Sequence, residues 1–174
     1  MNTEIQGHCR RRGNVLIRKG TKADIPAIQA VARVAWEYTY KDIMRPETRS
    51  HFLDQFYSYE ALAKALELKP GGLWVATVGL QVVGFIQVVP MIDKSGLEVT
   101  RLYVLPECQR QGVGKMLLST VMVAYPETKW WALVERDDHM AVAFYAKHLF
   151  SRRRDLVLNI MGEDLAFVEF FRQG

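Results

Sequence analysis

Six residues, Gln109-Arg-Gln-Gly-Val-Gly114, carry the most legible chemistry in this sequence. They follow an apolar run that ends at Leu105-Pro106, and they open a second apolar run through Ala124. A helix that starts here leaves its first backbone N–H groups without internal partners, and its dipole adds partial positive charge at the same end. Without a Cβ at Gly112 or Gly114, a phosphate can approach those N–H groups closely. The same glycines would also serve tight packing of a helix against a sheet. The residues alone leave a pyrophosphate cradle and a packing device both open.

Two better-known glycine motifs are excluded. A P-loop needs Lys followed by Ser or Thr, and Lys115 is followed by Met116; the dinucleotide fingerprint needs a third glycine where Leu117 stands. There is no H-E-x-x-H, and the four histidines show no ligand spacing, so no metal is expected. Cys9 and Cys108 fit no C-x-x-C pattern and imply neither a disulfide framework nor a zinc site, so a reducing cytoplasm is the expected compartment.

The elements that must position this segment can be read from periodicity. Val15 to Arg18 reads as a strand, and Thr21 to Asp24 as a capped helix start. Ile25, Ile28, Val31, Ala32, Ala35 and Trp36 then follow at helical spacing. From Tyr38 to Lys69 the pattern predicts helix in two or three pieces, with Pro46 in a first turn and Ser58 as a cap, ended by Pro70-Gly71-Gly72. Leu73 to Val78 and Gln81 to Pro90 read as a hairpin about Gly79-Leu80, and Leu97 to Leu105 as the returning third strand. A buried helix (Gly112 to Ala124), a strand (Lys129 to Glu135), a helix capped by Asp138 (to His148) and two strands (Leu156 to Ile160, Ala166 to Phe171) complete the order. The order predicts a mixed α/β sheet in a single domain over residues 14–174, after a loose basic extension over residues 1–13.

The 174 residues carry a formal charge of only +4, and the basic clusters Arg10 to Arg12 and Arg152 to Arg154 read as solvated surface. Nucleic acid is not an expected partner, and no apolar run approaches the roughly 18 residues of a membrane span.

The stretch "EVTRLYVLPECQRQGVGKMLL", Glu98 to Leu118, resembles the acetyl-CoA signature of the GCN5-related N-acetyltransferase (GNAT) superfamily, and "AVAFYAKHLF", Ala141 to Phe150, resembles its second landmark. The resemblance covers about Asn14 to Phe171. It implies the GNAT fold: a mostly antiparallel sheet of six to seven strands with about four helices, and two parallel strands splayed at the site. It implies acetyl-CoA as co-substrate. The pyrophosphate would lie on Gln109, Arg110, Gln111, Gly112, Val113, Gly114 and the adjoining Lys115, and the pantetheine arm along Leu102, Tyr103 and Val104. Lys147 matches a position near the nucleotide. Asp138 stands where many members have asparagine; a carboxylate cannot donate as an amide does, which leaves its contact to CoA open.

Tyr145 matches the tyrosine that faces the CoA sulfur, and a phenol can protonate the departing thiolate. Glu98 is, by the same resemblance, the residue placed to take the amine's proton and to line the acceptor cleft. Trp36, Glu37 and Tyr40, with Tyr38 and Asp42, fall in the region that forms the acceptor wall, although Trp36 also suits a core anchor. The stretches "ADIPAIQAVARVAWEYTY" and "FYSYEALAKAL" are similar to bacterial members that include polyamine acetyltransferases of the PaiA type. The implied partner is therefore a small amine. A peptide N-terminus is the nearest rival, a silent acyl-CoA sensor is the alternative of another class, and a homodimer is left open.

Overall fold

The computed structural model describes residues 14–92 and 95–174; the expected N-terminal extension and its arginine cluster lie outside them. The elements run β1 (Val15–Lys19), α1 (Ile25–Tyr40), α2 (Pro46–Phe56), α3 (Tyr59–Glu67), β2 (Gly72–Val78), β3 (Gln81–Pro90), β4 (Leu97–Val104), α4 (Val113–Ala124), β5 (Trp130–Glu135), α5 (His139–Lys147), β6 (Ser151–Ile160) and β7 (Glu163–Arg172). The seven strands form one sheet in the order β1-β2-β3-β4-β5-β7-β6. Every pairing is antiparallel except β4 with β5. This is the mixed sheet that the sequence predicts, with five helices in place of about four.

Each helix start has a chemical cause. Asp24 reaches back to accept from Thr21 N and Thr21 Oγ1, both at 2.8 Å, ahead of α1. Pro46 occupies the first turn of α2, where its missing N–H costs nothing. Ser58 Oγ accepts from Ala61 N at 3.2 Å and starts α3. Helix α1 buries Ile25, Ile28, Val31, Ala32, Ala35 and Trp36, the face predicted by its spacing. Strand β3 is buried along nearly all its length, and both α1 and α4 pack against it. That explains why its residues run apolar without alternation.

Strand β6 begins at Ser151, five residues earlier than its apolar pattern suggests, and β7 at Glu163 instead of Ala166. As the edge strand, β6 buries little and shows no alternation. Its arginines pair instead: Arg152 with Asp155, and Arg154 with Glu169 at 3.3 Å, while Arg153 lies over the Phe171 ring. Cys108, buried in the turn after β4, is disulfide-bonded, where no disulfide was expected. Among the described residues no helix is long and apolar enough to cross a membrane.

Candidate active site

The parallel strands stay together for only three residues. Leu97, Glu98 and Val99 of β4 face Trp130, Trp131 and Ala132 of β5, and beyond Ala132 β5 turns to β7 alone. Just after Val99, β4 also carries one residue too many against β3: Val88 pairs with Val99 and Gln87 with Arg101, leaving Thr100 as a bulge that bends the strand. A cavity of about 750 Å³ is lined by the parted strands, Leu102 to Val104 on one side and Leu133 and Val134 on the other. This is the splay that the family resemblance implies.

One end of the cavity is the loop into α4. Arg110 has φ 60° and Gly112 φ 86°, two left-handed residues in quick succession, a backbone form that gathers N–H groups into an anion-binding concavity. The first helical bond runs from Met116 N to Gly112 O at 2.9 Å. The N–H groups of Val113, Gly114 and Lys115 therefore have no partner within the helix. A Cβ on Gly112 would meet nothing within 4 Å, so the space over this turn is open for a ligand. A Cβ on Gly114 would come 3.4 Å from the Phe144 ring, an ordinary contact, so this glycine serves packing as much as access. Gln109 Nε2 donates to Val104 O at 3.0 Å and ties the loop to the strand end.

Gln109, Arg110, Gly112, Gly114 and Lys115 line the cavity, as do Asp138 and Lys147. Two of the predicted loop residues do not. Val113 is buried in the core, and Gln111 turns back to donate to Glu107 O at 2.9 Å. Asp138 caps α5 by accepting from Ala141 N at 3.0 Å; burial raises its carboxyl above the usual range, against the backbone bonds that lower it.

Tyr145 lies on α5 where the cavity meets the core. Its ring stacks on Phe170 with centroids 5.8 Å apart and meets Phe150 edge-on at 5.1 Å, so its rotamer is fixed by aromatic packing. Burial pushes its phenol far above the ordinary tyrosine value, with the charges of Tyr40, Glu98 and Asp138 adding in the same direction. At neutral pH the phenol is therefore protonated.

The other end is built from α1 and β4. Tyr40 and Tyr103 bring their hydroxyls within 3.2 Å of each other, and burial raises both phenols. Ala35 and Thr39 join them in the lining. Trp36 does not: it is buried, donates from Nε1 to Tyr57 Oη at 3.1 Å and packs on Tyr40, Phe52 and Tyr103, a core anchor rather than a wall. Glu37 is likewise outside the lining and pairs with Arg49 at 3.0 Å; Tyr38 and Asp42 are exposed. Glu98 is half-buried and shares a sheet face with Arg101 and Tyr103 through the β3 register, but it is not in the cavity wall. Arg101, which lies within the signature stretch but was not among the expected site residues, does line the cavity.

A sheet parted at one parallel pair, with a left-handed glycine turn at its mouth, defines the GNAT class of acyltransferase fold. Residues 69–152 match the family model described as the acetyltransferase (GNAT) domain. The chain is similar to a spermidine N(1)-acetyltransferase of Thermoplasma acidophilum, 27% identical over 144 residues, covering 79% of this chain and 88% of that one. Its fold resembles the crystal structure of the PaiA N-acetyltransferase of the same organism in complex with coenzyme A, with TM-score 0.73, 26% identity and coverage of 90% and 98%. It also resembles that of a ribosomal-protein-alanine N-acetyltransferase from Brucella melitensis, with TM-score 0.64, 22% identity and coverage of 91% and 99%. Residues 69–152 thus carry the GNAT acetyltransferase domain, and the described residues as a whole have the GNAT fold.

Proposed function

We propose that this chain transfers the acetyl group of acetyl-CoA to a primary amine of a small molecule by direct attack. The observation that carries the reading is the continuity of the cavity from the left-handed turn at Gly112, past the parted edge of β4, to Tyr145. The unpartnered N–H groups of the loop suit the CoA pyrophosphate, with Lys115 and Lys147 at the rim. The free edge of Leu102 to Val104 suits an amide-bearing arm, which it would bind as it would a neighbouring strand. A backbone N–H near Val104 would then stabilise the oxyanion that forms as the amine adds to the thioester carbonyl.

As the carbon–sulfur bond breaks, the electron pair leaves with sulfur and Tyr145 supplies a proton to the thiolate. The proton lost by the amine goes to Glu98, through water, since Glu98 stands on the acceptor face of β4. Tyr40, Thr39 and Ala35 form the near wall of the acceptor subsite. The spermidine-acetylating relative makes polyamines one class to test; a fold shared with a protein-acetylating neighbour does not itself choose an acceptor. The test is release of free thiol from acetyl-CoA across polyamines, amino acids and short peptides. Transfer to at least one amine class is expected. Tight acetyl-CoA binding with no transfer to any amine would reduce the chain to an acyl-CoA sensor.

A further inference from the structure

Arg101, one of the residues that line the cavity, carries a positive charge that no described residue neutralises. The Arg101 guanidinium lies 4.5 Å from the centroid of the Tyr57 ring, and its Nη1 is buried with no hydrogen-bond partner. Arg101 makes no ion pair with any described residue. Its cross-strand neighbour Gln87 does not satisfy it: Gln87 Oε1 is also buried and also unpartnered.

The groups that face the guanidinium are the tyrosines Tyr57 and Tyr103. Burial drives both phenols upward and keeps them neutral, so they contribute a π-face and dipoles but no negative charge. A buried cation without a counterion is costly, and native proteins keep one where it has a use. Burial depresses the guanidinium as well, against Tyr57 and Tyr103, which act to raise it.

The position states the use. Arg101 immediately follows the bulge that bends β4 and immediately precedes the edge suited to the donor's arm, and its guanidinium lies over the ring of Tyr57, the residue that ends α2. Together with Thr39, Tyr40 and Thr100 it lines the acceptor end. We propose that Arg101 binds a carboxylate carried by the acceptor, so that the substrate is a primary amine of the amino-acid class and not a polycation. One guanidinium flanked by neutral aromatics matches one negative charge, in the planar geometry that arginine and carboxylate share. A second ammonium group in this place would meet a like charge in a poorly solvated site. This assignment rests on the acetyl-transfer reading and names the substrate class of that same site.

The experiment compares matched amines under saturating acetyl-CoA: amino acids, each beside its carboxamide and its decarboxylated amine, with lysine against lysinamide and cadaverine as one set, and with spermidine added. In wild type at least one amino acid is expected to exceed its decarboxylated twin by tenfold or more in kcat/KM. Arg101→Met should bring that ratio near one, chiefly through KM, while acetyl-CoA affinity holds; Arg101→Lys should keep part of the preference. Since Arg101→Met removes an uncompensated buried charge, its melting temperature should equal or exceed that of wild type, which separates lost binding from lost folding. Turnover that favours spermidine or cadaverine over every amino acid, or a preference that survives Arg101→Met, overturns the assignment and leaves acetyl transfer standing. If no amine turns over, the transfer reading fails by itself. Calorimetric titration of N-acetyl-lysine and N-acetyl-lysinamide into the CoA-loaded protein then decides the carboxylate site: preference for the acid that Arg101→Met abolishes upholds it, and equal or absent binding overturns it.

Discussion

Thr48 Oγ1 donates to Glu163 Oε2 at 2.6 Å, joining the first turn of α2 to the start of β7 across 115 positions of sequence. Thr48 is fully buried, and the same carboxylate accepts from Arg45 N at 3.1 Å while Arg45 Nη2 donates to Met161 O at 2.8 Å. The β6–β7 turn thus holds the entry of α2, and α2 in turn packs Phe52 on Trp36 beside the acceptor end.

Loosening this clasp should affect the acceptor more than the donor. Glu163→Gln is expected to raise KM for the amine several-fold, leave acetyl-CoA affinity unchanged, and cost about 1 kcal/mol of stability for a weakened charge-assisted bond. The Thr48 bond, ahead of the Arg45 contacts, holds the Glu163 carboxyl below its ordinary value. The contribution is therefore present above the unfolded value and fades as pH falls through the folded one. Steady-state kinetics with each substrate varied in turn, and unfolding at neutral and acid pH, check both parts.

Tyr145 gives a sharper test, because its phenol is pushed up and not down. A tyrosine acting as proton donor must stay protonated, and a raised value extends that condition past the ordinary limit near ~10. The kcat profile should show no descending limb from this group between pH 7 and about 10. Tyr145→Phe should lower kcat by about 10²-fold or more, the usual range for loss of a general acid, with acetyl-CoA affinity within twofold. A descending limb near pH 8 that disappears in Tyr145→Phe would remove the residue from this role.

The two glycines of the loop should behave differently. At Gly112 the left-handed φ strains any residue with a Cβ, and the side chain would stand in the open space over the turn. Gly112→Val is expected to abolish measurable acetyl-CoA binding. Gly114 has no positive φ, and its added Cβ would only touch Phe144, so Gly114→Ala should bind within about threefold of wild type. Calorimetric titration of both variants distinguishes them.

The loop and strand end proposed to hold the donor are legible in the sequence because they are built from backbone and local in the chain. A strand, a turn and a helix start over Leu102 to Lys115 leave their mark in glycine placement and in one apolar run after another. The acceptor half is not. Whether Trp36 faces the cavity or the core depends on Tyr57 and Tyr103, which reach it from separate elements and which no spacing rule connects. Nothing in the sequence marks Arg101 as lacking a counterion among the described residues, because that is a fact of tertiary packing. The apolar pattern makes strand β6 too short for a related reason: cross-strand ion pairs such as Arg154 with Glu169 need no hydrophobic alternation.

The anchor of α1 can be tested by pH alone. Arg18 donates from Nη1 and Nη2 to the two carboxylate oxygens of Asp24 at 2.8 and 2.7 Å, and Thr21 adds its N–H and hydroxyl. The Arg18 bonds, opposed by burial and helped by Thr21, lower the Asp24 carboxyl to about 2. Because the folded value lies below the unfolded one, the ion pair contributes fully above about pH 4 and loses its contribution as pH falls toward 2. The size is about 1–2 kcal/mol, discounted because the Arg18 side chain is 40% exposed and screened by solvent. Asp24→Asn should therefore be less stable than wild type by about that amount at pH 7 and should converge on it as the medium approaches pH 2. It also removes negative charge from the positive end of the helix dipole. Helix α1 ends in Thr39 and Tyr40, which line the acceptor end, so the same variant should show a raised KM for the amine at neutral pH. Urea unfolding across pH 2–7 together with amine kinetics at pH 7 reads both effects; parallel stability curves for the two proteins below pH 4 would show that the pair does not hold α1 in place.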